Sequence, residues 1–585
     1  MASASAIAAG TTETDRRPAD ASAVTGYIVL LHETATAATV DERRGRLAAV
    51  VGEARLPLAV GERVTGRWVR ASLPAAVAGS DAAGLEARLR ADPRVAAVVP
   101  DVREQRLAVT PNDPLFVEQW WLQPRPASGW GVAGFAEAWA LSTGAPVSGT
   151  GAPVAVLDSG ITSHPELNSR VLPGWDFVSD PIYAGDGNGR DNDPSDPGDA
   201  ITDAARLANP VAFDQCPPQP VSSWHGTLIA GQIAAVTNNG EGVAAANWNG
   251  TVLPVRVAGL CGAAVSDIID GLRWAAGLPV PGVPSNPNPA RIIVLGYGSI
   301  DPCDTDHAVL AVRDTARLYE AALAEVRAEG AIVFAAAGNQ RRSSVSRPAS
   351  CRGAFAVTSL NRDGFKASYA NVGPEIRLAT PGGDAEVGGT CDRQLADSGI
   401  VSTANLGDVA PGAPGYAAAS GTSFASPAVA ATAAMMLAVN PALTVVQVEN
   451  GLVASAAPFP QVPLLGECAN DNRGRCTCNG LTCGAGLLDA AEALRFAADP
   501  DGYTASLRES PALRDDRIEA CAALLGRPVP PPDPPAPPQP PNPPADPGGG
   551  GTGGGAMGSG WLIALAAAVW LVRRSGTLSS WPSAR

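Results

Sequence analysis

The sequence predicts an α/β protein with a mostly parallel central sheet, preceded by a small α+β unit. Apolar runs at 154–157, 252–257, 292–295, 332–335 and 355–359 alternate with helical stretches from His225 and at 266–276 and 313–329. That alternation implies parallel strands with helices on both faces. A shorter β-α-β-α-β pattern occupies residues 24–108. Polar residues with chemical potential also fall where open parallel sheets carry their sites, at strand carboxyl ends. Asp158 closes the run Val154-Ala155-Val156-Leu157, and Asn339 closely follows Ala331-Ile332-Val333-Phe334.

The elements follow in order. Residues 1–23 are small and polar, and disorder or a residual leader is expected there. Residues 1–10 have no basic start and no Leu-rich core, so they do not read as a signal peptide, and the true start is expected upstream. Tyr27-Ile28-Val29-Leu30-Leu31 reads as a buried strand, 41–53 as a helix and 66–73 as a second strand. The stretch 82–90 is amphipathic, with Leu85 and Leu89 four residues apart, and 95–100 closes the unit as a strand. Thr110-Pro111-Asn112-Asp113-Pro114 is a turn-rich break. The large unit is expected to span 110–495, followed by an extension at 496–526 and a Pro/Gly-rich linker at 527–560. An apolar segment with an Arg pair, 561–574, comes last.

At 585 residues the chain is long enough for two or three units. Its formal net charge of −15, with no long Lys/Arg block, argues against nucleic-acid binding. Ten cysteines, with Cys476-Thr477-Cys478 near Cys483, indicate disulfides and an oxidising compartment. A zinc site is the competing reading; no His lies near the cluster and Cys-x-Cys fits zinc spacing poorly. Sequence does not give the pairing. Cys216 with Cys261 and Cys303 with Cys351 are the two pairs expected, each stapling loops around a cleft.

Gly421-Thr422-Ser423-Phe424-Ala425-Ser426-Pro427 puts a serine on a Gly turn at the start of a helix. A serine hydroxyl needs a base to become a nucleophile. Only His32, His164, His225 and His307 exist, and His225-Gly226-Thr227 opens a helical stretch. Asp158, His225 and Ser423 stand in the chain order Asp, His, Ser. These three motifs, with Ala335-Ala336-Ala337-Gly338-Asn339 as a fourth, resemble those of the subtilisin-like serine proteases, the subtilases, over about residues 110–495. The resemblance implies the subtilisin-like three-layer fold. It also implies His225 as general base, Asp158 as its orienting acid, Ser423 as nucleophile and Asn339 as oxyanion donor. Gly296 and Gly298 would form one wall of the substrate cleft and Ala336, Ala337 and Gly338 the other. Residues 24–108 resemble the inhibitory pro-peptide of the family, with processing expected within about 105–111. Three motifs depart from the family pattern: His225-Gly226-Thr227-Leu228 lacks the second His, Ala428 stands where a His is usual, and Leu295-Gly296-Tyr297-Gly298-Ser299 replaces Asn-x-Ser-x-Gly.

Two calcium sites are expected. The loop with Asp186, Asp191, Asp193 and Asp196 packs hard oxygen ligands, although a solvated acidic loop would read the same way. By resemblance, the second would use Asp113, Glu166 and the loop bearing Val236, Asn239, Glu241 and Val243, with Glu166 replacing the usual Asp. The Gly run, apolar stretch 561–572 and Arg573-Arg574 resemble the bacterial GlyGly-CTERM sorting tail, cut by a membrane protease; a permanent C-terminal anchor is the alternative. The function expected is a secreted or surface-held serine endopeptidase acting on proteins or peptides. It would be a monomer made as a self-processed zymogen, with its own pro-peptide as inhibitor. The alternatives are a catalytically weak or inactive binding protein of the same fold, and a non-proteolytic serine hydrolase, which the Asp-His-Ser order disfavours.

Overall fold

The computed structural model describes residues 24–529 apart from 33–38, 66–67, 78, 102–108, 126–128, 148–150, 386–389, 507 and 509. The leader, residues 105–108 of the expected processing window, the linker beyond 529 and the apolar segment lie outside the described residues. The chain divides into two compact units between Leu107 and Ala108.

The first unit is a four-stranded antiparallel sheet, in the order Ala59–Thr65, Trp68–Val77, Val24–Leu31, Val95–Pro100, carrying the helices Val40–Glu53 and Gly79–Arg90. Tyr27, Val29, Leu47, Val50, Val69 and Leu89 are wholly buried in its core. Thr39 starts the first helix with a capping box: its hydroxyl accepts from the Glu42 N–H while the Glu42 carboxylate accepts from the Thr39 N–H. Ala59–Thr65 is a strand that the periodicity does not announce. Gly61-Glu62-Arg63 breaks its apolar pattern, as an edge position permits.

The second unit holds seven parallel strands, in the order Ile376–Pro381, Ala354–Leu360, Ile332–Ala336, Ile292–Leu295, Val154–Asp158, Val252–Arg256, Trp175–Asp176. The central strands are apolar throughout because both faces are covered. Val154, Val156, Ile292 and Val294 face helices His225–Ala234 and Thr422–Val439, while Ala155, Leu157, Ile293 and Leu295 face Val265–Ala275 and Leu310–Ala328. Each such buried aliphatic side chain contributes about 1.5–3 kcal/mol. These three layers match the subtilisin-like architecture. Strand order reverses between Val154–Asp158 and Ile292–Leu295, so a topological switch point opens between their carboxyl ends.

Thr422–Val439 is long and apolar enough to cross a membrane, yet 94% of it is buried in this core. The C-terminal boundary differs from the expected 495. Helix Ala490–Ala498 crosses it, and helix Asp516–Leu524 is fastened by Cys391–Cys521, with Ile518 packed on Phe365, Leu395 and Val462. The extension is therefore folded onto the body. Cys216–Cys261 and Cys303–Cys351 are bonded as expected, alongside Cys468–Cys476 and Cys478–Cys483. The sulfurs of Cys468, Cys478 and Cys483 lie close together, but all are disulfide-bonded, which removes the zinc reading.

Candidate active site

Asp158 ends the central strand at the switch point and is almost wholly buried. The Ser159 N–H donates to its Oδ1 at 2.8 Å. His225 is the first residue of its helix, and Nδ1 lies 2.7 and 2.9 Å from the two Asp158 oxygens. Its Nε2 lies 2.9 Å from Ser423 Oγ. In neutral imidazole, Nδ1–H donates to Asp158 and Nε2 accepts the serine proton. Ser423 sits in the first turn of Thr422–Val439. Pro427 has no N–H to give the Ser423 carbonyl, and the Ser426 hydroxyl lies 3.4 Å from it instead. The rings of Phe424 and Tyr297 flank His225 at centroid distances of 5.0 and 5.5 Å.

Asn339 is held through its amide oxygen. Its Oδ1 accepts from the Thr422 N–H at 2.9 Å and from the Thr422 hydroxyl at 2.8 Å. A Cβ built on Gly421 would stand 3.1 Å from Ser423 Oγ and 3.4 Å from Asn339 Nδ2, so hydroxyl and amide face one space. Gly296 lies against all three residues: a Cβ there would meet His225 Cε1 at 2.9 Å, Asp158 Oδ2 at 3.2 Å and Ser423 Cβ at 3.3 Å. Gly298 abuts the Arg347 carbonyl, and Gly338, at φ +105°, abuts the Ser346 hydroxyl. Ala336 is half-buried at the strand end, but Ala337 is a correction. Its side chain is buried with Ala335, Val345 and Ala349, so it builds core rather than cleft wall.

In the acidic loop the four carboxylates are engaged separately. Asp186 pairs with Arg256 at 2.6 Å, Asp191 accepts from Asn188, Asp193 accepts from the Ser195 N–H, and Asp196 turns inward to Ser159. Among the described residues the one group of three metal-binding side chains with ligand atoms mutually within 4.8 Å is the bonded cysteines, not these carboxylates. Each carboxylate of this loop has its own protein partner. Around the second expected site, Asp113 accepts from the Asn238 N–H at 2.8 Å, and Glu166 accepts from the Val243 N–H and the Tyr416 hydroxyl. Burial pushes the Glu166 carboxyl up to about 7, and the Asp113 and Glu241 carboxylates add to the rise. Burial also raises Asp113. Two buried carboxylates whose hydrogen-bond partners include no Lys or Arg fit a bound cation. Asn239 and Glu241 fit less well: Asn239 Oδ1 takes the Glu241 N–H, and Glu241 is exposed. Val236 N–H donates to the Glu166 carbonyl, which ties this loop to the same turn.

Sequence reasoning missed Ser159, Thr422, Asp199 and the rings of Tyr297 and Phe424. Ser159, Thr422 and Phe424 lie inside the motifs themselves, and Tyr297 lies inside the departing Leu295–Ser299 motif. Nothing in spacing points to Asp199. His164, in contrast, is buried with Nε2 3.0 Å from the Gly415 carbonyl, away from this chemistry.

A family model described as the subtilase family matches residues 149–486, more than half of the chain. The chain is 38% identical over 425 residues to an extracellular protease of Xanthomonas campestris pv. campestris, covering 72% of this chain and 62% of that protein. It is 34% identical over 366 residues to an extracellular basic protease of Dichelobacter nodosus, covering 61% and 54%. The chain thus spans less than two thirds of either relative. Among solved structures, a protease from Pseudoalteromonas arctica PAMC 21717 superposes with a TM-score of 0.55 at 37% identity, covering 66% of this chain and 100% of that one.

Burial pulls the His225 imidazole down, but the Asp158 carboxylate, with Asp199 and Asp196 behind it, outweighs burial and leaves it above 6.5. The neutral, proton-accepting form is therefore lost as pH falls through that raised value. NMR titration of the imidazole should place its midpoint above 6.5, and Asp158→Asn should lower it. A midpoint at or below the ordinary value would contradict the arrangement.

Proposed function

The chain belongs to the subtilase family, and from that membership we propose that it is a secreted serine endopeptidase acting through Asp158, His225 and Ser423. The observation that carries this reading is the unbroken hydrogen-bond chain from Asp158 through His225 to Ser423 Oγ, at 2.7 and 2.9 Å. Ser423 Oγ attacks the peptide carbonyl carbon while His225 Nε2 takes its proton. The imidazolium then protonates the leaving amine as the C–N bond breaks, and water hydrolyses the acyl-enzyme by the same relay. Asn339 Nδ2 donates to the oxyanion, a contribution of about 3 kcal/mol to the transition state. The glycines of 296–298 leave the backbone open for an extended substrate to lie beside it. An inactive binding protein would have no need of this aligned relay, which disfavours the alternative.

The N-terminal unit, compact with its own core, is the inhibitory pro-peptide in this reading, removed by the triad itself within about residues 105–111. Five disulfides fit an oxidising compartment outside the cytoplasm, and the relatives named above are called extracellular. The substrates are proteins or peptides, and the enzyme works as a monomer.

Ser423→Ala should abolish peptidase activity and leave the N-terminal unit attached. A serine-directed phosphonate should label Ser423 in the unchanged protein. Normal maturation of the alanine variant in a host lacking other proteases would refute self-processing, and absence of labelling would refute the nucleophile.

A structural Ca²⁺ held by Asp113 and Glu166 would neutralise two buried carboxylates and pin the 236–243 loop; it has no part in the chemistry. Chelation should then lower Tm and speed autolysis, because an ion bound only by the folded state stabilises it by mass action. Superimposable melting curves with chelator and with excess Ca²⁺ would count against the site.

The C-terminal segment is a sorting tail in this reading, so the mature protein lacks 561–572. Intact-mass measurement decides it: retention of Arg573-Arg574 would mark a permanent anchor.

A further inference from the structure

Two buried carboxylates that the proposed chemistry leaves unused stand behind His225. Asp196 is 2% exposed and Asp199 6%. The Ser159 hydroxyl donates to Asp196 Oδ2 at 2.7 Å, and the Gly198 N–H donates to Oδ1 at 2.8 Å. That same Ser159 oxygen accepts the N–H of Gly226, the residue after His225, at 3.2 Å. The Ser159 backbone N–H meanwhile donates to Asp158. Because Oγ must accept from Gly226, its proton needs an acceptor elsewhere, and Asp196 supplies one.

Asp199 acts on the other side of the histidine. Its oxygens accept the N–H and the hydroxyl of Ser223, each at 2.6 Å. Between Ser223 and His225 stands Trp224, a bulky residue in the left-handed region at φ +50°. Such a conformation persists only where its surroundings hold it. Asp199 holds it from one end, and the Trp224 indole N–H, donating to the Gly407 carbonyl at 2.8 Å, holds it from the other. The turn that presents the imidazole is thus tied on both flanks.

We propose that Asp196 and Asp199 are positioning residues of the catalytic base: through Ser159 and Ser223 they fix the backbone on both sides of His225 and align it between Asp158 and Ser423. This rests on the reading of His225 as the base. The imidazole is contacted by Asp158 from its strand, Tyr297 beyond Leu295, and Ser423 and Phe424 from the long helix, while Asp199 and Asp196 reach it from the loop by charge. Tyr297 is pushed well above its usual range by burial, and so is neutral. Arg256 is a nearby cation, but it is committed to Asp176 and Asp186. Burial pushes the Asp196 carboxyl up to about 7, so it favours the imidazolium only where it is ionised; Asp199 adds to the same effect.

The test uses Asp196→Asn, Asp199→Asn and Ser159→Ala in the full chain, with the exposed Asp203→Asn as a charge control. On the alkaline plateau each of the three should lower kcat roughly 10- to 100-fold with little change in KM, the signature of a misplaced base rather than lost substrate binding. Ser159→Ala with Asp196→Asn should be no worse than either alone, since both act through one hydroxyl. NMR of the His225 imidazole in a Ser423→Ala background should show its midpoint falling in both Asp variants and holding still in Asp203→Asn. That readout needs no activity, so it separates failure of this proposal from failure of the peptidase reading. If one variant does not fold, the others carry the same test through the opposite flank. Unchanged kcat and an unchanged midpoint in the folded variants would overturn the proposal, as would fully additive losses for Ser159 and Asp196.

Discussion

The body depends on burying one helix. Thr422–Val439 carries no charged side chain, its polar groups being the hydroxyls of Thr422, Ser423, Ser426 and Thr432, and lies against the strands at 154, 292, 332, 354 and 376. A helix apolar on every face is stable only where every face is covered. The sheet covers one side, and the helices His225–Ala234 and Ala490–Ala498 cover others. That burial places the helix start at the carboxyl ends of the strands. Ser423 is thereby delivered to the His225 imidazole by packing, on a rigid element rather than a loop.

Charge inside the body is arranged in two ways. Structural charges are paired with opposite charges: Arg256 with Asp176 and Asp186, and Arg475 with Asp384 and Asp392. Lys366, wholly buried, donates its ammonium to the carbonyls of Ala367, Ser368 and Ala370. Around His225 the balance tips to negative. Asp158 contacts the imidazole and the charges of Asp199 and Asp196 reach it, and removing water strengthens their attraction for a positive charge there. A buried carboxylate costs free energy unless donors meet it. Here the donors are backbone N–H groups and serine hydroxyls, which satisfy the carboxylates without cancelling their charge.

Much of this was legible before the fold. The apolar runs of the central sheet lie within a residue or two of the observed strands, because a strand buried on both faces must be apolar throughout. Ile376–Pro381 was not legible: Arg377 interrupts it, and its end is a proline. Asp158, His225, Ser423 and Asn339 were legible because each sits in a short motif that its own turn or strand end requires. The partners of the acidic loop were not legible because a run of acidic residues has no inherent direction.

The sequence by itself determined the central strands, the parallel sheet and the identities of the three residues that meet at its carboxyl edge, since periodicity and local turn chemistry act over a few neighbours. Only the tertiary structure decided that Asp196 and Asp199 point inward, that Ala337 faces the core and that residues up to Gly526 belong to the body. Each of these depends on a partner far along the chain: Ser159 lies 37 residues from Asp196, and Cys391 lies 130 from Cys521. An irregular segment takes its side-chain directions from whichever distant groups complete its burial and hydrogen bonds, and no local pattern encodes that choice.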